Sequence, residues 1–139
     1  MHVIICTDGG ARGNPGPAGI GVVIKNAKTG EVIETHAKYL GETTNNQAEY
    51  QAVILGLYRC VVLGVKRVDV LADSELLIKQ ARGEYKVKNK DLAKRFLEMK
   101  NLEHQIGDVT YQHVRREKNK EADALANQAM DQAVKRVLH

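Results

Sequence analysis

The chain changes its hydrophobic period several times, and each change marks an element. Residues 2–7 (HVIICT) form a short apolar run, the pattern of a buried strand. Residues 19–26 (GIGVVIKN) and 31–40 (EVIETHAKYL) read as two more strands on either side of the turn AKTG. Three consecutive strands joined this way predict an antiparallel meander, with Gly9 to Pro17 as a Gly/Pro-rich connection. The period then lengthens. Thr44 and Gln47 have the spacing of a capping box. A helix is expected from there to about Leu63, with Ala48, Ala52, Leu55 and Val62 near one stripe, and Gly64 stops it.

The second half alternates strand and helix patterns. Residues 67–72 (RVDVLA) read as a strand, and Ser74 can cap a short helix reaching Ala81. The stretch 83–90 (GEYKVKNK) is a polar loop. Asp91 opens another helix, in which Leu92, Phe96 and Met99 recur at i, i+4 and i+7. Residues 108–114 (DVTYQHV) alternate as a last strand. Asn119 begins a final helix through about Val137, and the tail after Asp131 either continues it or frays. The order is βββαβααβα. After the meander, strand–helix–strand links imply parallel pairing with helices on the sheet faces, an α/β fold.

Composition narrows the picture. A chain of 139 residues with 43% hydrophobic content is expected to form a single domain, 1–139, with its own core. No run approaches the roughly 18 apolar residues of a membrane-spanning helix. The N-terminus MHVIICTDGG lacks a basic flank and breaks at Asp-Gly-Gly, unlike a signal peptide. The expectation is therefore a cytoplasmic protein with no membrane partner. Cys6 and Cys60 lie in apolar surroundings without CxxC spacing and are expected to be buried free thiols.

The net charge of +4 says little by itself; its distribution says more. Lys79 to Lys100 holds eight Lys/Arg and three acids (Glu84, Asp91, Glu98), a net of +5, so the rest of the chain sums to −1. Such a field attracts phosphates, although an ordinary solvated helix face would carry the same charges.

Four carboxylates each sit at the edge of a predicted element: Asp8 in CTDGGARGNPGP, Glu49 in TTNNQAEY, Asp73 in VLADSELL and Asp123 in NKEADALA. If the first and fourth strands are parallel neighbours, Asp8 and Asp73 fall side by side at their carboxyl ends, where ligands gather in open α/β sheets. Adjacent carboxylates resist joint ionisation, and a divalent cation would relieve that cost. Glu49 and Asp123 lie in early turns of their helices, and both turns need only face the same edge to complete a cleft. Four such acids can hold two hard cations and hydrolyse a phosphodiester. Taken singly, each acid also has a plain reading as a turn residue, a helix cap or a partner of the helix dipole. The glycine-rich segment is not a nucleotide loop, because a strand follows it. Gly9, Gly10 and Gly13 would instead permit tight turns and close approach by a ligand. The amides of TTNNQ can both donate to and accept from a ribose 2′-hydroxyl.

Together, TDGGARGNPGPAGIGVVI, TTNNQAEYQAVILGL, VLADSELLI and HVRREKNKEADALANQA resemble ribonuclease H type 1 over nearly the whole chain. The resemblance implies a five-stranded mixed sheet flanked by helices, and cleavage of RNA in RNA–DNA hybrids. It implies that Asp8, Glu49, Asp73 and Asp123 ligate two Mg²⁺ ions, with Mn²⁺ as substitute and Asp8 shared. It implies products with 5′-phosphate and 3′-hydroxyl ends. Asn14, Asn45 and Asn46 match positions that touch 2′-hydroxyls and the minor groove. Thr44 matches a contact to a DNA phosphate. Glu75 stands where the family often has Gln, in contact with the RNA strand. A monomer is expected, and double-stranded RNA is left open as a second duplex partner.

Two departures stand out. Many relatives carry a His on a loop before the last acid, but here that loop is short. Arg116 is the preferred replacement, with Arg115 and His113 as alternatives; an Arg would act electrostatically, since it cannot serve as a base near neutral pH. The basic protrusion of some relatives is reduced to Gly83–Lys90 without Trp, leaving Tyr85, Lys86, Lys88 and Lys90 to contact the DNA strand. No separate hybrid-binding domain is expected before the first strand. The competing readings are a hybrid- or double-stranded-RNA-binding module with weak catalysis, and another nuclease of the same fold.

Overall fold

The computed structural model describes residues 1–138, and its elements follow the predicted order with one addition. Strands β1 (His2–Ala11), β2 (Gly16–Asn26) and β3 (Val32–Thr43) form the meander. Helix α1 (Asn45–Val62) leads to β4 (Arg67–Ala72), α2 (Glu75–Ala81) and α3 (Lys90–Ile106). Strand β5 (Asp108–His113) then passes through a 3-10 turn, Arg116–Lys118, into α4 (Lys120–Leu138). The sheet order is β3-β2-β1-β4-β5, with β1–β4 and β4–β5 parallel and the rest antiparallel. This is the five-stranded mixed sheet that the sequence predicts. The tail after Asp131 continues α4 to Leu138, and His139 lies outside the described residues.

The meander strands are longer than their hydrophobic runs. β1 continues from Asp8 to Ala11, paired with Gly21 to Ala18 of β2, so only Arg12–Pro15 remains as the turn. Much of the expected Gly9–Pro17 connection is therefore strand. Ladder hydrogen bonds need only backbone groups, so glycines can extend a strand without any hydrophobic signal. The Arg12 N–H donates to the Pro17 carbonyl at 2.8 Å and closes the hairpin. The 3-10 turn is too short for periodicity to reveal.

Helices cover both faces of β2, which is buried from Ala18 to Ile24. A Cβ on Gly56 of α1 would meet Ile5, Thr7 and Val22, so that face lies under α1. Gly19 and Gly21 lie under α4, on the opposite face. Asp8 is the cross-strand partner of Gly21 and so shares the α4 face. The buried side of α1 runs through Ala52, Val53, Gly56, Leu57 and Cys60. The expected stripe fails at two places: Leu55 is only half-buried and Val62 is exposed. Gly56 takes the inward position because it admits Ile5, whose Cδ1 would stand 2.8 Å from an added Cβ. In α3, Leu92 and Met99 are buried and Phe96 packs partly against the same core. Both cysteines are free; Cys60 is buried as expected, Cys6 only half so. No described helix is long and apolar enough to cross a membrane.

Candidate active site

The parallel ladder between β1 and β4 ends at the pair Thr7–Ala72. Asp8 and Asp73 are the next residues on these neighbouring chains, so the strand pairing alone brings them together. Two glycines bring in the other acids. A Cβ on Gly9 would collide with the Ala48 carbonyl and stand 2.6 Å from the Glu49 nitrogen. Glycine there lets the first turn of α1 lie directly on β1, which delivers Glu49. A Cβ on Gly21 would collide with the Ala122 carbonyl oxygen and stand 2.8 Å from Leu125 Cβ. Glycine there lets the first turn of α4, with Asp123, rest against the backbone opposite Asp8. The side of Gly9 that a Cβ would occupy is taken by α1, a close approach that only glycine permits. Gly10 stays open, and Gly13 adopts a φ of +101° in the turn.

Polar contacts fix these helix starts. Thr44 caps α1, accepting the Gln47 N–H at 3.2 Å. The Gln47 side chain does not complete a capping box; its Oε1 accepts from Arg95 Nε at 3.0 Å. Ser74 caps α2, accepting the Leu77 N–H at 3.2 Å. Asn119 is buried just ahead of α4 and donates through Nδ2 to the Thr7 carbonyl at 2.8 Å. This bond ties the start of the Asp123 helix to the residue before Asp8. Only the final folded contact shows it, since the two residues lie far apart in sequence.

Asp8, Glu49, Asp73 and Asp123 line one cavity of about 480 Å³, together with Arg116 and Asn45. Gly9, Gly10 and Ala11 of β1 and Ala126 and Met130 of α4 complete its wall, with Arg12 and Asn127, two polar residues that sequence reasoning passed over. Burial pushes the Asp8 carboxyl up to about 8, and the neighbouring Asp73, Asp123 and Glu49 push in the same direction. Glu49 is pushed up to about 7, chiefly by burial; the Ser74 hydroxyl opposes the shift and the Asp73 charge adds to it. The nearest cation gives little relief, since Arg116 stands 3.7 Å from Asp123 with its side chain 79% exposed. The site therefore holds negative charge at a cost that a divalent cation would offset. Four hard oxygen donors fit Mg²⁺ or Mn²⁺ in chemistry. Among the described residues no three His, Cys, Asp or Glu side chains already stand as a ligand group for one ion.

The other predicted residues lie around this cavity without lining it. Asn14 Oδ1 accepts the Asn45 N–H at 3.1 Å, and Asn45 Oδ1 accepts the Ala11 N–H at 2.7 Å, so the β1–β2 turn and the start of α1 are stitched together. Asn46 is exposed. Glu75 pairs with Lys79 at 2.8 Å. Arg115 and His113 are exposed, and His113 ends β5 opposite Ala72. Of the three loop alternatives, Arg116 is the one that reaches the cavity wall. Part of the basic segment is already engaged: Arg95 bonds Gln47 and Glu98, Lys100 bonds Glu103, and Lys79 sits 4.9 Å from the Tyr85 ring centre. Lys86, Lys88 and Lys90 remain exposed.

Comparison with known proteins places this geometry in context. The model of a family described as reverse transcriptase-like matches residues 6–129. The bifunctional protein Rv2228c of Mycobacterium tuberculosis is 44% identical over 133 residues, covering 96% of this chain and 36% of that protein. Ribonuclease HI of Halobacterium salinarum is 39% identical over 126 residues, covering 91% of this chain and 63% of that protein. The chain thus spans less than two thirds of the length of either relative. The crystal structure of LC11-RNase H1 in complex with an RNA/DNA hybrid is similar with a TM-score of 0.90 and 45% identity, covering 95% of this chain and 99% of that one.

Proposed function

The chain belongs to the ribonuclease H family, and from that premise we propose that it is a metal-dependent endoribonuclease that hydrolyses the RNA strand of RNA–DNA hybrids. The observation that carries this reading is the meeting of Asp8, Glu49, Asp73 and Asp123 in one cavity, two of them with carboxyls held well above the usual range. In this reading the four acids would hold Mg²⁺, with Mn²⁺ able to replace it. Bound there, the ions would supply the Lewis acidity that activates water and stabilises the charge of an in-line displacement, leaving 5′-phosphate and 3′-hydroxyl ends.

The surrounding residues bind and orient. Arg116 places a permanent cation beside Asp123, where it can attract the scissile phosphate without taking a proton. Asn45 and Asn14 spend their carbonyl oxygens on backbone N–H groups. Their NH₂ groups are left to donate to 2′-hydroxyls, a contact a DNA strand cannot offer. Asn46, exposed one residue on, joins them. Thr44 accepts from Gln47 and keeps its own proton for a DNA-strand phosphate. Glu75 would contact the RNA strand only by giving up Lys79. Lys86, Lys88 and Lys90 would add salt-sensitive attraction to the DNA strand.

The test incubates the protein with labelled RNA–DNA, RNA–RNA and DNA–DNA duplexes in Mg²⁺, Mn²⁺ or EDTA. We expect cleavage of the RNA strand of the hybrid, abolished by EDTA. Hybrid binding without cleavage would favour a non-catalytic binding module. DNA–DNA cleavage at a similar rate would point to another nuclease of the same fold.

A further inference from the structure

The cavity does not stop at the four acids. It continues along α4 from Asp123 past Asn127 to Met130, with Gly10 and Ala11 of β1 and Arg12 of the following turn also lining it. Seven helical residues at 1.5 Å rise make this arm roughly 10 Å long, or about three steps of a nucleic-acid strand at 3.4 Å each. Its polar groups are Arg12, Asn127 and, at its outer end, Asp131. Arg12 Nη2 lies 2.7 Å from Asp131 Oδ1 and 3.3 Å from Asn127 Oδ1. Both side chains of the ion pair are half exposed, at 42% and 58%. Asn127 is itself held, donating Nδ2 to the Asp123 carbonyl at 3.0 Å. The arm therefore carries one permanent cation, loosely held by a solvent-facing acid and placed beside the residues predicted to meet the cleaved strand.

We propose that Arg12 binds a phosphate of the cleaved RNA strand that flanks the scissile bond, and that Asp131 competes for Arg12 until substrate arrives. The proposal rests on the hybrid-cleaving reading of the same site. Three features favour a strand phosphate as the ligand. The arm opens from the cavity that must take the scissile phosphate, so the strand continuing into it is the cleaved one. A guanidinium offers a phosphate two parallel donors, better geometry than the single 2.7 Å contact it makes to Asp131. An exposed ion pair is weak enough to exchange for a phosphate. With Arg116 also on the cavity wall, the strand would meet two arginines along the cavity.

The alternative is a strut, a pair that only fastens the β1–β2 turn to α4. A strut and a competitor make different predictions for Asp131. We would measure kcat, KM and their salt dependence on labelled hybrid, together with unfolding temperature, for wild type, Arg12→Ala, Arg12→Lys, Asp131→Asn and the double variant Arg12→Ala/Asp131→Asn. Arg12→Ala should raise KM about tenfold, more than it lowers kcat, and lower the salt slope by about one. Arg12→Lys should recover part of the loss. Asp131→Asn should lower KM, roughly two- to fivefold, the range of an exposed ion pair. The double variant should behave as Arg12→Ala. A hybrid with one uncharged phosphate substitution beside the scissile bond, on the RNA strand, should bind wild type and Arg12→Ala equally.

If Arg12→Ala and Asp131→Asn lower the unfolding temperature alike while KM and salt slope stay at wild-type values, the pair is a strut and the proposal is overturned. If Asp131→Asn raises KM as Arg12→Ala does, Asp131 does not compete and the proposal falls. If wild type itself neither binds nor cleaves the hybrid, the functional reading fails first and takes this inference with it.

Discussion

The two ends of the β1–β4 pair carry the same residue type in opposite circumstances. At one end, Asp69 of β4 accepts from the Thr110 hydroxyl at 2.7 Å and lies 2.8 Å from His2 Nε2. Those partners, Thr110 first, hold its carboxyl below the usual range. Four residues on, roughly 13 Å along the strands at about 3.3 Å per residue, Asp73 reaches Asp8, whose carboxyl is pushed up to about 8 by burial and like charge. Asp69 lies within β4 and Asp73 directly follows its end, so secondary structure does little to separate them. Partners do. The Asp69 end is finished as a piece of protein, with a donor for each carboxylate oxygen. The Asp8 end is left short of positive charge, with room beside it for something that brings it. A fold that leaves buried carboxylates in this state accepts a local loss of stability, and such losses cluster at functional sites.

The largest expected break in this contrast comes from Asp8→Asn. It removes one metal ligand and should lower turnover on the hybrid by on the order of 10³-fold or more, the scale of losing a central charge-stabilising group, while hybrid binding persists. Single-turnover cleavage and a binding titration check both halves. Near-normal turnover would remove Asp8 from the chemistry.

Gly21→Ala comes next. Its methyl group would press on the Ala122 carbonyl, and backbone on both sides leaves little room to yield. Overpacking of this kind costs about 1–3 kcal/mol. Because the turn that must move carries Asp123, turnover should fall along with the unfolding temperature. A variant as stable and as active as wild type would show that α4 does not depend on this contact.

These two positions also mark the limit of what the chain reveals unfolded. Asp8 and Asp73 were legible as strand-end acids because each follows a recognisable strand; their meeting was conditional on those strands pairing, and the parallel β1–β4 ladder supplies that condition. Thr44 and Ser74 were legible as caps because capping is local. Gly21 was not: in sequence it is one more residue of a β-rich run, and its importance lies in an α4 carbonyl about a hundred residues away. Asn119 read only as a helix start, although its side chain reaches the backbone beside Asp8. Arg12 and Asp131 were invisible as a pair for the same reason. Local signals gave the elements and the four acids. The contacts that set the acids' spacing are long-range, and no periodicity encodes them.

A smaller effect concerns pH in the absence of metal. Asp8 and Glu49 keep protons in the folded protein up to about 8 and about 7. The unfolded chain releases those protons near pH 4. Between these limits the folded state binds more protons, so stability falls as pH rises through the window. The contribution is fully present below the unfolded values and lost above the folded ones, at roughly 1.4 kcal/mol for each pH unit that separates the two. Urea unfolding in EDTA across this range should show the fall in wild type and a shallower fall in Asp8→Asn. A stability that rises with pH over the window would mean that the acids are not held in this way.

The smallest effect belongs to the finished end. Asp69→Asn loses its charge-assisted contacts and should lower stability by about 1 kcal/mol, with hybrid cleavage within about twofold of wild type, a change too small to reach RT ln 10. Steady-state kinetics beside an unfolding curve would show it. A large loss of turnover with unchanged stability would mean that the two ends are not independent.

The central claim is that the Asp8 cluster is short of a divalent cation. The most direct measurement is the shift in unfolding temperature with Mn²⁺, near neutral pH, for wild type, Asp8→Asn and Asp69→Asn. With the ion at about 100 times its Kd, wild type and Asp69→Asn should rise by roughly 5 °C or more, and Asp8→Asn by much less. An equal rise in all three, or a rise lost in Asp69→Asn and kept in Asp8→Asn, would contradict the account.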